Sequence, residues 1–244
     1  MTSRITLATA ARVLRQLRRD RRTLALVFLV PAVLLTLFRY VFDGQEATFD
    51  RVGAPLVGIF PLVSMFLVTS IAMLRERTTG TLERLMSMPL GKLDLLLGYG
   101  IAFAVLATVQ AAIASAVAFG LLGLDVAGSI FVVFGFAVAN ALLGMALGLF
   151  LSAFASTEFQ AVQFMPAVII PQLLLCGLLA PRERMAGVLE AVSWALPMTY
   201  AYDGLARATT GDEGTRLVVD VCVILGAIAL ALALGAATLR RRTA

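Results

Sequence analysis

Leu74–Lys92 reads LRERTTGTLERLMSMPLGK and is the long polar interruption in a chain of apolar runs. It carries the cations Arg75, Arg77, Arg84 and Lys92 and the carboxylates Glu76 and Glu83. Between them Leu82, Leu85 and Met86 fall at the spacing of one helix face. Pro89 and Gly91 then stop a helix before the next apolar run opens at Leu93. The runs on either side decide the fold class.

Of the 244 residues, 60% are hydrophobic and 14% charged, and the mean hydropathy is +0.94. A soluble domain is about half apolar and about a quarter charged, so this composition is that of a polytopic membrane protein. The length accommodates about six helical spans of about 20 residues with short loops, an all-α single domain over 1–244. No sizeable soluble domain fits in the remainder.

The net charge of +5 and pI near 9.9 do not point to nucleic acid, because the cations gather at both termini and in the polar stretch. That distribution sets membrane topology. Histidine is absent, which excludes histidine-based nucleophilic triads and histidine-ligated zinc or haem. Cys176 and Cys222 both lie in apolar runs and read as small hydrophobes.

Residues 1–22 are basic and periodic. Leu7, Ala10, Leu14 and Leu17 form one stripe, while Arg12, Arg15, Arg19 and Arg22 form another on a roughly opposite face. The spacing predicts a helix in the membrane interface, leucines down and guanidiniums among anionic headgroups. A basic tail that only sets orientation is compatible with the same residues. The charged region is too long for a cleaved signal peptide, and no small-residue cleavage site follows the apolar run.

Six spans are expected, at Thr23–Phe42, Ala54–Leu74, Leu93–Leu122, Ser129–Ala153, Ala161–Leu179 and Leu217–Leu239. The first contains Pro31 and ends near Arg39, whose long side chain reaches the headgroups. Residues 43–53 read as a loop. In the fourth span Gly144, Gly148 and Ser152 follow Asn140 at intervals of four, a stripe that lets another helix approach closely. The fifth is interrupted by Pro166 and Pro171 and carries Gln163 and Gln172 on opposite faces of an ideal helix. Asn140, Gln163 and Gln172 have two readings, lining a substrate path or making helix-packing hydrogen bonds.

Residues 180–216 read as two short helices at or re-entering the interface, broken at Pro197, with Trp194, Tyr200 and Tyr202 as interfacial aromatics. With the N-terminus inside, 14 of the 20 cations fall on the cytoplasmic side. Both termini are therefore expected in the cytoplasm. Arg39, Asp94 and Asp220 lie near span ends, so a proton- or sodium-driven carrier has few ionisable groups at membrane depth. No nucleophile with a base appears. The residues alone describe a helical membrane scaffold whose energy comes from elsewhere, and whose polar loop is either a docking surface or a solvated topology signal.

Arg75–Gly100 resembles the loop and following helix of ABC type-2 permeases, in particular drug-exporter permeases of actinobacterial type. Glu76, Arg77, Gly80, Thr81, Leu82, Glu83, Leu85, Pro89 and Gly98 match the pattern. A second match lies in Pro171–Arg207, at Pro171, Gly177, Pro181, Arg182, Pro197, Tyr200 and Asp203. The resemblance implies a plasma-membrane exporter subunit that pairs with a second copy or a paralogue and sits on two ATP-binding subunits.

By that resemblance Arg75–Lys92 is the coupling loop, with Glu76, Arg77, Gly80, Thr81, Leu82, Glu83, Arg84 and Leu85 facing the ATPase. Residues 1–22, with Arg12, Arg15, Arg19 and Arg22, are the interfacial elbow helix, and 180–216 are extracellular half-helices. The chain has no G-x-x-x-x-G-K-[ST] sequence, so ATP and Mg belong to the partner and this chain is not itself an enzyme. The expected cargo is an amphipathic drug or lipid-like molecule. A lipid-linked glycan, a peptide, or a non-transporting role beside an ATPase stand as alternatives.

Overall fold

An apolar segment in a bilayer must satisfy its own backbone hydrogen bonds, and a helix does so within one strand of chain. The computed structural model describes residues 3–81, 92–212 and 214–238, and among them there is helix and no strand. The elements are α1 (Ser3–Arg19), α2 (Arg21–Val41), α3 (Glu46–Thr78), α4 (Lys92–Ser115), α5 (Ile130–Leu151), α6 (Glu158–Leu175), α7 (Gly187–Ser193), α8 (Pro197–Thr210) and α9 (Thr215–Thr238). A π-helical turn, Ala116–Leu121, continues α4. Six of these, α2 to α6 and α9, are long and apolar enough to cross a membrane. The chain is an all-α, multi-pass membrane protein.

The centre of the bundle is α3 against α5. In its most apolar window 61% of α3 is buried, against 17% for α2 and for α6. Gly144 and Gly148 make the approach possible. A Cβ on Gly144 would strike the Leu62 backbone, and one on Gly148 would strike Thr69 Oγ1 and the Phe66 carbonyl. Thr69 Oγ1 lies 2.7 Å from the Met65 carbonyl of its own helix and 3.2 Å from the Met145 carbonyl of α5. Asn140 continues the contact, fully buried, with Nδ2 2.5 Å from where a Gly58 Cβ would stand.

Asp20 separates α1 from α2. Its carboxylate accepts from the Thr23 amide at 3.1 Å and the Thr23 hydroxyl at 2.7 Å, capping α2. Those two bonds, the hydroxyl's first, hold the carboxyl below its ordinary pKa. α1 lies along the start of α4, where a Cβ on Gly98 would come within 2.6 Å of Thr9. Its buried face is Thr6, Thr9, Ala10 and Val13, with Leu14 and Leu17 flanking and Leu7 59% exposed. The stripe that includes Leu7 is thus rotated from the face that packs, because the close approach at Gly98 selects small side chains. Gln110 joins α4 to α2 by donating from Nε2 to the Val27 carbonyl at 2.9 Å.

Several boundaries differ from expectation. Residues 46–53 are helix rather than loop, so α2 and α3 are joined by 42–45 with Gly44 at φ +74°. Phe49 causes this: it is buried, with the Arg39 guanidinium 5.4 Å over its ring. Arg39 also donates from Nε to the Leu122 carbonyl at 3.3 Å and stands 3.6 Å from Glu46. The fifth span starts at Glu158, because the Thr157 hydroxyl caps it by accepting from the Gln160 amide at 3.2 Å. It ends before Gly177 at φ +106° and runs unbroken through Pro166 and Pro171.

At the end of the bundle away from α1, α8 begins at Pro197 and packs on α5, where a Cβ on Gly204 would strike the Phe136 ring. The backbone of Ala127 and Gly128 bonds to the last carbonyls of α8 at 3.0 and 3.1 Å. Because Gly144 meets backbone and not a movable side chain, Gly144→Leu should destabilise the bundle by about 3 kcal/mol or more. Thermal unfolding of the detergent-solubilised protein measures this, with Gly135→Leu, where a Cβ meets nothing within 4 Å, as the control.

Candidate functional site

The last turn of α3 carries Arg75, Glu76 and Arg77 into the polar stretch. Arg75 and Glu76 lie next to each other yet bind different parts of the bundle. Arg75 reaches α6, pairing with Glu158 through Nε–Oε1 at 2.6 Å and Nη2–Oε2 at 3.0 Å. Both partners are about half exposed, so the pair contributes at most about 1 kcal/mol. Glu76 turns the opposite way into the protein and is 5% exposed. Its Oε1 accepts from Arg12 Nη1 of α1 at 3.4 Å. Arg12 Nη2 donates to the Tyr99 hydroxyl of α4, and the guanidinium sits 5.5 Å over that ring. One arginine therefore joins α1, α3 and α4 at the entrance to the polar stretch.

The same junction holds Asp94, buried in the first turn of α4, with the Thr6 hydroxyl of α1 donating to it at 3.4 Å. A carboxylate at a helix N-terminus is favoured by the helix dipole. Arg77 is half-buried, and its Nε has no partner among the described residues. α3 ends at Thr78 with Thr79 as its C-cap, followed by Gly80 at φ +72°, the left-handed conformation that glycine adopts without steric cost. The Thr79 and Thr81 hydroxyls lie 3.0 Å apart across this turn.

The junction thus holds Glu76, Arg77, Gly80 and Thr81 of the expected coupling residues. Leu82, Glu83, Arg84 and Leu85 lie outside the described residues. Of the four arginines expected on one interfacial helix, Arg12, Arg15 and Arg19 lie on α1, while Arg22 falls in the first turn of α2 beyond the break at Asp20. Arg15, Arg19 and Arg22 are exposed, and Arg15 Nε donates to the Ala11 carbonyl at 3.2 Å. Arg12 is turned into the protein.

Asn140, Gln163 and Gln172 do not share one lining. Asn140 is buried between α3 and α5 with Oδ1 unpartnered among the described residues, and Gln163 is exposed. Gln172 is buried on the other face of α6, donating to the Val168 carbonyl at 3.1 Å.

Sequence reasoning missed a second ionic group at the far end. Arg182 pairs with Asp203 through two bonds, of 2.9 and 2.8 Å, and stacks 4.5 Å over Trp194. Arg207 bonds to Asp220 of α9 and stands 3.9 Å from Asp203. The i,i+4 spacing of Asp203 and Arg207 was readable; the pairings across 21 and 13 residues were not.

Residues 5–209 match the ABC-2 type transporter family. The chain belongs to that family. Its relatives include the probable multidrug ABC transporter permease YbhR of Escherichia coli (strain K12), 29% identical over 148 residues, 61% of this chain and 40% of that protein. The probable multidrug ABC transporter permease YbhS of the same organism is 26% identical over 206 residues, 84% of this chain and 55% of that protein. ABC transporter G family member 23 of Dictyostelium discoideum is 28% identical over 154 residues, 63% of this chain and 22% of that protein. The chain spans about half the length or less of these curated relatives.

In this ABC-2 type chain the Arg12–Glu76 pair has a measurable weight. Leaving a buried carboxylate without its partner costs about 3–5 kcal/mol, and the 32% exposure of the Arg12 side chain lowers this to about 2 kcal/mol. Arg12→Ala should lower stability by about that amount, and adding Glu76→Gln should recover most of the loss. Denaturant unfolding in detergent, run as a double-mutant cycle, reads both.

Proposed function

We propose that this chain is the permease subunit of an ABC exporter, driven by ATP hydrolysis in separate ATP-binding subunits. Family membership and the names of its relatives support the permease role, and the cation distribution supports a plasma-membrane orientation with both termini in the cytoplasm. The proposed assembly pairs it with a second permease copy or paralogue on two ATPase subunits, which hold the ATP and Mg. The proposed cargo is an amphipathic drug or lipid-like molecule, moved outward.

The observation that carries the reading is that α3 enters the polar stretch directly from a locked junction. α3 is a single helix over Glu46–Thr78, and Arg12, itself bonded to Tyr99, and Glu158 hold its final turn from two sides. A push on the loop is then a push on α1, α3, α4 and α6 together, and the expected response is rigid-body rocking of the permease halves. Glu83 and Arg84 supply directed charge for a soluble partner, and Leu82, Leu85 and Met86 an apolar anchor. In the same reading Arg15, Arg19 and Arg22 rest among anionic headgroups.

Charge reversal at Glu83 or Arg84 should abolish substrate-stimulated ATPase activity of the reconstituted complex while membrane insertion stays normal. Unchanged stimulation overturns the docking role.

A further inference from the structure

A cleft of about 420 Å³ lies between α1, α2 and α3, with α4 behind it, on the flank of the bundle that holds the Arg12–Glu76 junction. Its walls divide by polarity. Leu26 and Val30 of α2, Val68 and Ile71 of α3 and Phe103 of α4 form the apolar length. Towards the α1 end the lining becomes polar, with Asp20, Arg75 and Glu76. The volume is that of a small-molecule site.

The charges at the polar end decide what kind of molecule fits. Arg75, the one cation in the described lining, gives Nε and Nη2 to the two oxygens of Glu158. The carboxylates are less fully used. Glu76 is more than nine-tenths buried; Oε1 takes the Arg12 bond, and Oε2 has no hydrogen-bond partner among the described residues. Tyr99 borders this carboxylate and accepts from Arg12. A buried carboxylate oxygen without a donor costs free energy that an incoming donor recovers. Asp20 stands in the same lining and is exposed, its oxygens bonded to Thr23 and its charge facing Arg75.

We propose that this cleft binds a cationic amphiphile, its ammonium headgroup at Glu76 and Asp20 and its apolar chain along α2 and α3. The assignment concerns a site on the flank of a single chain. Asn140, Gln163 and Gln172 take no part in it. Because Glu76 lies in the last turn of α3, an occupant meets the helix that leads into the polar stretch. Binding stands apart from the exporter reading; only its meaning as cargo capture rests on that reading.

The test uses the full chain in phosphatidylcholine nanodiscs, without any ATPase, and radiolabelled dodecylamine in a scintillation proximity assay. Saturable binding is expected, displaced by unlabelled dodecylamine but not by dodecanol or dodecanoate. Glu76→Gln should weaken it roughly tenfold or more, the loss of one charge-assisted bond. Ala72→Trp, which places an indole in the cleft wall, should remove saturable binding. Displacement by dodecanoate as effective as by the amine overturns the proposal, as does wild-type affinity in Glu76→Gln. If Glu76→Gln does not insert, the displacement series on the native chain together with Ala72→Trp decides the matter. Amine binding without ATP-driven export of the amine by the complex would refute the exporter reading and leave the cleft standing; export without binding here would do the reverse.

Discussion

The close approach of α3 and α5 at Gly144 and Gly148 is the constraint on which the rest of the bundle depends. In a bilayer the hydrophobic effect does not press helices together, so contact must come from packing and interhelical hydrogen bonds. Glycine removes the atoms that would hold two backbones apart, and the Leu62 and Phe66 backbones come into the space. Thr69 then sits against a carbonyl of each helix. Once α3 and α5 are fixed, the positions of the other spans follow. α2 packs on α3, α8 lies on α5 beside Phe136, and Gly235 of α9 approaches Phe150.

Ionic contacts do a different job. They are concentrated at the two ends, where chain segments must be held that the apolar packing does not fix. At one end Arg12 and Arg75 hold the exit of α3, and at the other Arg182 holds the segment before α7 on α8 while Arg207 holds α8 on α9. Arginine suits both places, since its planar fork bonds two oxygens of one carboxylate and its face stacks on Trp194 or Tyr99. Asp20, by contrast, acts locally and ends one helix while starting another.

The six spans were legible because each apolar run is long enough to be read without knowing its neighbours. The packing stripe at Gly144 and Gly148 was legible too, since helical spacing survives the loss of every other detail. Gly98 appeared in the sequence as part of a pattern without a cause; in the structure it is where α1 rests on α4. What stayed hidden were choices made by tertiary contact. Periodicity put Arg12 on a face with Arg15, Arg19 and Arg22, but a side chain that long can turn back into the protein when a buried carboxylate from 64 residues away is within reach. In the same way the charges of 46–53 read as loop, while the buried Phe49 and Gly53 tie the continued helix to the core.

The length of α3 has its own mechanical meaning. At about 1.5 Å per residue its 33 residues make a rod of about 50 Å, against a hydrocarbon layer about 30 Å thick. Part of the rod therefore stands in water or headgroups, and its charged tip lies well beyond the tight waist at Leu62 and Phe66. A rod gripped near its middle behaves as a lever: a tilt of a few degrees about the waist swings the two tips in opposite directions by ångströms. A sidewise displacement at the wet tip would be reversed at the opposite face of the membrane as far as the helix stays straight through Pro55 and Pro61.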